Sequence, residues 1–106
     1  MSETFVRIVS LVGRGVYLVS SHAYDELLDE QIHPEDLLRG LADAEVIEDY
    51  PAALRGPSVL LLQSDRAGVV HTVWGIPKHQ NGPAVLITAY RPQPTRWSPD
   101  FRRRRT

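Results

Sequence analysis

The chain has 106 residues, of which 42% are hydrophobic, 24% are charged and none is cysteine. This composition is typical of one globular domain and excludes a disordered chain, a disulfide framework, a thiol nucleophile and a zinc site with cysteine ligands. No apolar run approaches the roughly 18 residues that cross a bilayer, and the first residues lack the basic segment of a secretory signal. We therefore expect a single cytoplasmic domain over residues 1–106, with no membrane association.

The formal net charge of −1 hides an uneven distribution along the chain. Residues 1–56 hold four arginines and eleven acidic residues, whereas residues 57–106 hold eight lysines or arginines and two acidic residues. Such asymmetry indicates either an anionic partner at the basic end or mutual neutralisation of the two halves within the fold.

Helices are predicted in the first part of the chain. After Ser2, a residue suited to cap a helix, four apolar residues follow helical spacing: Phe5, Ile8, Val9 and Val12. Residues 16–19 form a short segment of β-forming residues. Ser20 and Ser21 are candidate caps of a second helix, and Pro34 is suited to the first position of a third.

From residue 45 the pattern predicts strands rather than helices. Four segments qualify, namely Glu45–Tyr50, Ser58–Ser64, Val69–Ile76 and Ala84–Tyr90, and the short loops between them favour antiparallel pairing. We therefore predict an α+β fold in which N-terminal helices pack on a twisted antiparallel sheet of about four strands. Residues 91–106 contain three prolines and are predicted to form a basic C-terminal tail.

His71 and Tyr90 are the first candidate site residues. His71 lies within an otherwise apolar strand, so it must either hydrogen-bond inside the core or lie at a cleft. Tyr90 ends the last strand, where its hydroxyl reaches solvent or its ring closes the edge of the core. Because one short loop connects the two strands, we expect them to be adjacent and antiparallel.

His22 opens the second helix and is followed at helical spacing by Glu26 and Glu30. A histidine beside a carboxylate can act as a general base, or it can simply cap a solvated helix. No HExxH spacing supports a metal site at His22 and His33, so neither metal nor cofactor is expected. The chain also lacks a glycine-rich phosphate loop, a GxSxG motif and suitably paired carboxylates, which disfavours an NTPase, a serine hydrolase and a glycosidase.

The C-terminal tail interleaves aromatic residues with arginines. Trp97 and Phe101 are followed by Arg102, Arg103 and Arg104. Arginine binds phosphate through a planar fork, and aromatic rings stack on bases, so this pattern is typical of RNA binding. The alternatives are a solubilising tail and a segment that docks on the acidic half.

Several short strings resemble a bacterial family described only as domain of unknown function 4258: Ser21-His22-Ala23, Glu48-Asp49-Tyr50-Pro51, Gly56-Pro57-Ser58, His71-x-Val73-Trp74, Ile87-Thr88-x-Tyr90-x-Pro92 and Phe101-Arg102-Arg103-Arg104. That family is similar to the RelE-like toxins, which fold as a small twisted antiparallel sheet packed by helices. The resemblance implies a toxin of a toxin–antitoxin system that cuts mRNA without a metal, with a zinc-finger antitoxin of the MqsA kind as its partner. It leaves the oligomeric state open.

The resemblance also implies roles for the candidate residues. His71 and His22 would be the acid and base with Tyr90 assisting, while Trp97 would stack a base. Phosphate would be held by three arginines of the tail: Arg102, Arg103 and Arg104.

At one point the sequence departs from the family pattern. The family carries arginines one and two turns after the helix histidine, where this chain has Glu26 and Glu30. A carboxylate there repels RNA unless it acts as a base or pairs with the arginines of the tail. The alternative function is therefore a non-catalytic RNA- or protein-binding domain on the same scaffold, and a third is an inert domain whose acidic helix docks a basic protein.

Overall fold

The computed structural model describes residues 1–106. In chain order the elements are α1 (Glu3–Gly13), β1 (Tyr17–Val19), α2 (Ser21–Asp29), α3 (Pro34–Arg39), a short 3₁₀ helix (Leu41–Asp43), β2 (Glu45–Tyr50), β3 (Ser58–Asp65), β4 (Gly68–Gly75) and β5 (Ala84–Tyr90). None of the helices combines the length and the hydrophobicity that crossing a bilayer requires.

The three helices start where the sequence predicts. The hydroxyl of Ser2 accepts a hydrogen bond from the backbone N–H of Phe5 at 3.1 Å, and that of Ser20 accepts one from Ala23 at 3.0 Å. Both bonds satisfy N–H groups that the first helical turn leaves unpaired. Pro34 opens α3, where its fixed φ suits the helix. Local capping chemistry therefore sets these boundaries.

The sheet has five strands in the order β1-β5-β4-β3-β2 and is mixed. Strands β2 to β5 pair antiparallel, and His71 lies opposite Tyr90, which confirms the predicted adjacency of their strands. However, β1 pairs parallel with β5, with Tyr17 opposite Ala84, so the prediction of four antiparallel strands was wrong. Three residues carry too little pattern to reveal a partner distant in the chain. The α+β class is confirmed, and the RelE-like relationship stays a prediction.

One face of the sheet, here called the helix face, carries the core. Trp74 is fully buried there. Helices and alternate strand residues contribute to the same apolar cluster: Ile8, Leu11, Ala23, Leu27, Ile32, Leu37, Leu41, Val59, Leu61, Val70, Ile76, Ala84, Leu86 and Ala89. Because successive strand residues point to opposite faces, the residues between them form the other face.

The other face, here called the tail face, presents three rows across the strands. The first row is Glu45, Leu62, His71 and Tyr90. The second is Glu48, Leu60, Val73 and Thr88. The third is Tyr50, Ser58, Gly75, Val85 and Leu18. The C-terminal tail, residues 91–106, covers His71 of the first row and contacts Glu45 and Glu48 on β2.

The C-terminal tail folds back as a small hairpin. The N–H of Ser98 donates to the carbonyl of Arg103 at 2.7 Å, and that of Arg105 donates to Arg96 at 2.9 Å. Asp100 closes the turn by accepting a hydrogen bond from the hydroxyl of Ser98 at 2.6 Å. The tail is therefore an ordered cover of the first row of the tail face.

Candidate functional site

His71 is fully buried beneath the C-terminal tail. Its Nε2 lies 2.9 Å from the carbonyl oxygen of Phe101, and its Nδ1 lies 3.3 Å from the hydroxyl of Tyr90. A carbonyl oxygen only accepts, so Nε2 carries the hydrogen and Nδ1 accepts the hydrogen of Tyr90. Burial lowers the pKa of His71 from 6.5, which favours the neutral ring.

Trp97 packs between His71 and Arg104. Its ring centre lies 4.4 Å from that of His71, nearly perpendicular at 83°, and the guanidinium carbon of Arg104 lies 4.8 Å from the ring centre of Trp97. Trp97 is only 4% exposed, so a base can stack on it only after Arg104 moves. The fold thus brings together four of the predicted site residues: His71, Tyr90, Trp97 and Arg104.

Two carboxylates that the sequence did not single out as site residues bind two arginines of the tail. Glu48 accepts two hydrogen bonds from Arg104, at 2.8 and 2.9 Å, and Glu45 accepts two from Arg102, at 2.5 and 2.9 Å. Arg104 lowers the pKa of Glu48, and Arg102 lowers that of Glu45. Part of the charge asymmetry is therefore neutralised within the fold, which was one of the two interpretations of the sequence.

A β-bulge explains why the strand pattern did not reveal this pair. Residues three apart in a regular strand point to opposite faces. The register of β2 shifts between Val46 and Glu48, so Glu45 and Glu48 both reach the tail face. No local signal in Glu45–Tyr50 predicts that shift.

Of the other arginines of the tail, Arg91 pairs with Asp65 at 2.7 Å, whereas Arg96, Arg103 and Arg105 have no carboxylate partner. Arg103 is exposed, and Arg96 and Arg105 line a cleft of about 590 Å³. The cleft, here called the basic cleft, has eight lining residues, none of them acidic: Tyr90, Gln93, Thr95, Arg96, Trp97, Arg104, Arg105 and Thr106. Burial raises the pKa of Tyr90, so its hydroxyl keeps its proton at neutral pH. The basic cleft is built to attract an anion beside a neutral hydroxyl.

His22 lies at the start of α2 with its side chain 70% exposed. Its Nε2 is 3.1 Å from Glu26, which also accepts hydrogen bonds from the hydroxyl of Thr88 and from the N–H of Ala89. Since β1 ends at Val19 and does not reach Ala89, Glu26 replaces the missing strand partner of that N–H. Glu26 therefore binds the edge of β5 and does not pair with the tail. Through its hydrogen bond with Thr88, it also links His22 to the tail face.

The fold and the cleft define an α+β domain with a basic site on one face of a mixed sheet. The family profile described as domain of unknown function (DUF4258) matches residues 19–91, and the chain belongs to this family. This confirms the family assigned from the sequence. The matched segment contains His22, His71 and Tyr90 and ends where the C-terminal tail begins. No curated protein and no solved structure matched the chain.

Among the residues of the chain, no group of three or more His, Cys, Asp or Glu side chains is arranged to hold a metal ion.

Proposed function

We propose that this chain is a metal-independent endoribonuclease that cuts mRNA at the basic cleft, as the toxin of a toxin–antitoxin system. The observation that carries the proposal is a cleft-lining hydroxyl, that of Tyr90, backed at 3.3 Å by the buried neutral ring of His71. Cations in the cleft attract phosphate, and the hydroxyl–imidazole pair accepts the proton that cleavage releases. The toxin assignment, the RelE-like relationship and a zinc-finger antitoxin of the MqsA kind depend on the resemblance described above.

In the proposed reaction the 2′-oxygen of RNA attacks the adjacent phosphorus, and the bond from phosphorus to the 5′-oxygen breaks. Tyr90 accepts the proton of the 2′-hydroxyl while its own proton passes to Nδ1 of His71. His22 supplies a proton to the leaving 5′-oxygen, so one proton is taken up and one is given. The products are a 2′,3′-cyclic phosphate and a 5′-hydroxyl. His22 does not line the basic cleft and is linked to the tail face through Glu26 and Thr88, so its role as the acid depends on the resemblance.

Phosphate binding is proposed to occur in two steps. The arginines without a carboxylate partner bind first: Arg96, Arg103 and Arg105. Arg102 and Arg104 bind phosphate in the second step, when it replaces their carboxylate partners on β2. This exchanges one exposed ion pair for another. Departure of Arg104 uncovers the ring of Trp97, which then stacks a base.

A second candidate function, RNA binding without cleavage, is favoured by one observation. Both ring nitrogens of His71 already have partners, and its ring is closed off from solvent. A histidine held in this way stabilises the tail whether or not it moves protons. In this alternative the arginines bind RNA and Tyr90 contributes only a hydrogen bond.

Replacement of Tyr90 by Phe tests catalysis. Tyr90→Phe removes the hydroxyl and keeps the ring, so we expect cleavage of single-stranded RNA to fall by about 10²–10⁴-fold, the usual contribution of a general acid or base. Expression of the wild type should stop growth of a bacterial host and degrade its mRNA, and Tyr90→Phe should not. Tyr24→Phe, on the exposed side of α2, is the matched control and should retain full activity.

Salt dependence tests binding separately from cleavage. Each phosphate contact on a single strand contributes about −0.7 to the slope of log K against log salt. Joint replacement of Arg96, Arg103 and Arg105 by Ala should therefore flatten the slope by about 2. Arg14, which follows the C-terminal end of α1 and does not line the basic cleft, is the control, and Arg14→Ala should leave the slope unchanged. RNA that binds with the expected slope but stays intact would establish the second candidate. Absence of binding at low salt would refute both.

A further inference from the structure

The tail face carries a second concavity that the proposed reaction does not use. A groove of about 530 Å³, here called the apolar groove, lies at the third row of the sheet and has ten lining residues: Ala53, Leu54, Arg55, Gly56, Ser58, Gly75, Ile76, Pro77, Val85 and Ile87. The third row lies four residues along β4 from the first, which is about 13 Å at ~3.3 Å per residue. The apolar groove is therefore separate from the basic cleft.

Small residues in the third row create the apolar groove. Ser58 and Gly75 face each other there, and a Cβ on Gly75 would lie 2.9 Å from the Cδ1 atom of Ile87. Two large apolar side chains flank the floor that Ser58 and Gly75 form. Leu54 is 85% exposed and Ile87 is 41% exposed. Exposed apolar side chains around a concave floor are the usual mark of a protein interaction site.

The segment that carries Leu54, residues 53–57, is fixed by backbone hydrogen bonds to residues 76–78. The N–H of Lys78 donates to the carbonyl of Arg55, and the N–H of Ile76 donates to that of Pro57, each at 3.0 Å. Gly56 has a φ of +131°, and a Cβ there would lie 2.0 Å from the carbonyl oxygen of Ile76, so only glycine allows this approach. The apolar groove is therefore preformed, which reduces the entropy lost on binding.

The charge at the rim indicates what the apolar groove accepts. Arg55 lines the groove, and Lys78 follows the lining residue Pro77. Both are exposed and neither forms an ion pair, and no acidic residue lines the groove. A basic segment would be repelled by this rim. A nucleic acid would find no hydrogen-bonding side chain on the floor apart from the hydroxyl of Ser58. An acidic segment that also carries apolar side chains fits both the rim and the floor.

We propose that the apolar groove docks an acidic, apolar-faced segment of a partner protein. Apolar side chains of that segment lie over Gly75 between Leu54 and Ile87, and its carboxylates pair with Arg55 and Lys78. This proposal is independent of the basic cleft and of any ribonuclease activity.

Two labelled synthetic peptides test the proposal by fluorescence anisotropy on the full chain. One repeats Leu-Leu-Glu-Glu and the other repeats Leu-Leu-Lys-Lys. We expect the acidic peptide to bind at least about tenfold more tightly than the basic one, a difference of 1.4 kcal/mol. Joint replacement of Arg55 and Lys78 by Glu should reverse that preference, and Leu54→Ser should weaken acidic-peptide binding about tenfold.

Matched controls are available on the surface of the helices. Leu28→Ser removes an exposed leucine of α2, and Arg14→Glu reverses an unpaired charge after α1, so neither should alter peptide binding. Equal binding of the two peptides, or binding that Leu54→Ser leaves unchanged, would overturn the proposal. Self-association of the wild type that Leu54→Ser abolishes would also overturn it, because the occupant would then be a second copy. The side chain of Leu54 is exposed, so thermal unfolding of that variant should match the wild type.

Discussion

The helix face and the tail face of the sheet are closed in different ways. On the helix face, α1, α2 and α3 cover fully buried side chains such as Trp74 and Leu61, and the contacts are apolar except for a buried hydrogen bond from Gln63 to the carbonyl of Leu37. On the tail face, the cover is a short hairpin held by Trp97, by one hydrogen bond to His71 and by ion pairs with partly exposed partners. One sheet therefore has a face closed by packed helices and a face whose cover combines one buried aromatic contact with ion pairs that water and salt can reach.

The two faces therefore differ in how much they contribute to the stability of the fold. Burial of apolar surface stabilises by roughly 25 cal/mol per Å² and does not depend on salt, whereas exposed ion pairs contribute about 0–1 kcal/mol each and weaken in salt. We therefore expect the tail to open while the sheet stays folded, as local openings occur in regions with few apolar contacts. Variants that change one face and leave the other intact test whether the two faces are separable in this way.

The two tryptophans provide the strongest contrast. Trp74→Ala should lower the free energy of unfolding by about 3–5 kcal/mol, the usual cost of an empty aromatic site in a core. Trp97→Ala should cost less, because the tail can leave the sheet without unfolding it. Urea unfolding followed by circular dichroism measures both, and Trp74→Phe replaces Trp74→Ala if the latter does not fold. Equal losses for Trp74→Ala and Trp97→Ala would show that the tail belongs to the core.

The next contrast is a dependence of tail closure on pH. Burial lowers the pKa of His71 below its ordinary 6.5 when the tail is closed, while Glu48 opposes and Arg104 adds to that shift. The open state therefore binds the proton more tightly, so closure is fully stabilised above about pH 6.5 and weakens as the pH falls through the closed-state pKa.

Tyr90, the other titratable contact of His71, is uncharged throughout this range because burial raises its pKa. Trp97 fluorescence in a Trp74→Phe background follows closure, since Trp97 is then the only tryptophan. His71→Gln, which lacks a titratable group at this position, should remove the transition near neutrality. A wild-type signal that does not change between pH 7.5 and pH 5 would contradict the assignment.

The smallest predicted effect concerns the ion pair between Arg104 and Glu48. A double-mutant cycle with Arg104→Gln and Glu48→Gln should give a coupling energy of about 1 kcal/mol or less, because Arg104 is largely exposed. High salt should reduce that coupling, while the loss caused by Trp74→Ala should persist. A coupling that is large and insensitive to salt would place this pair among the contacts that hold the fold.

The sequence by itself determined the elements whose signals are local. Ser2, Ser20 and Pro34 mark the helix starts through the hydrogen bonds and the fixed φ that a first helical turn needs. The short loops joining β2 to β5 favour antiparallel neighbours and hence adjacent strands for His71 and Tyr90, while a register shift between Val73 and Trp74 sets the two residues opposite each other. The prediction that the strands of His71 and Tyr90 are neighbours therefore needed no tertiary information.

Only the tertiary structure decided features that depend on residues distant in the chain. β1 has three residues, and its parallel pairing with β5 is visible only when the sheet is assembled. The bulge in β2 brings Glu45 and Glu48 to one face, where the tail's arginines meet them across more than fifty residues of sequence. Such contacts leave no local pattern, because the residues next to each partner in the sequence do not depend on which residue it contacts across the sheet.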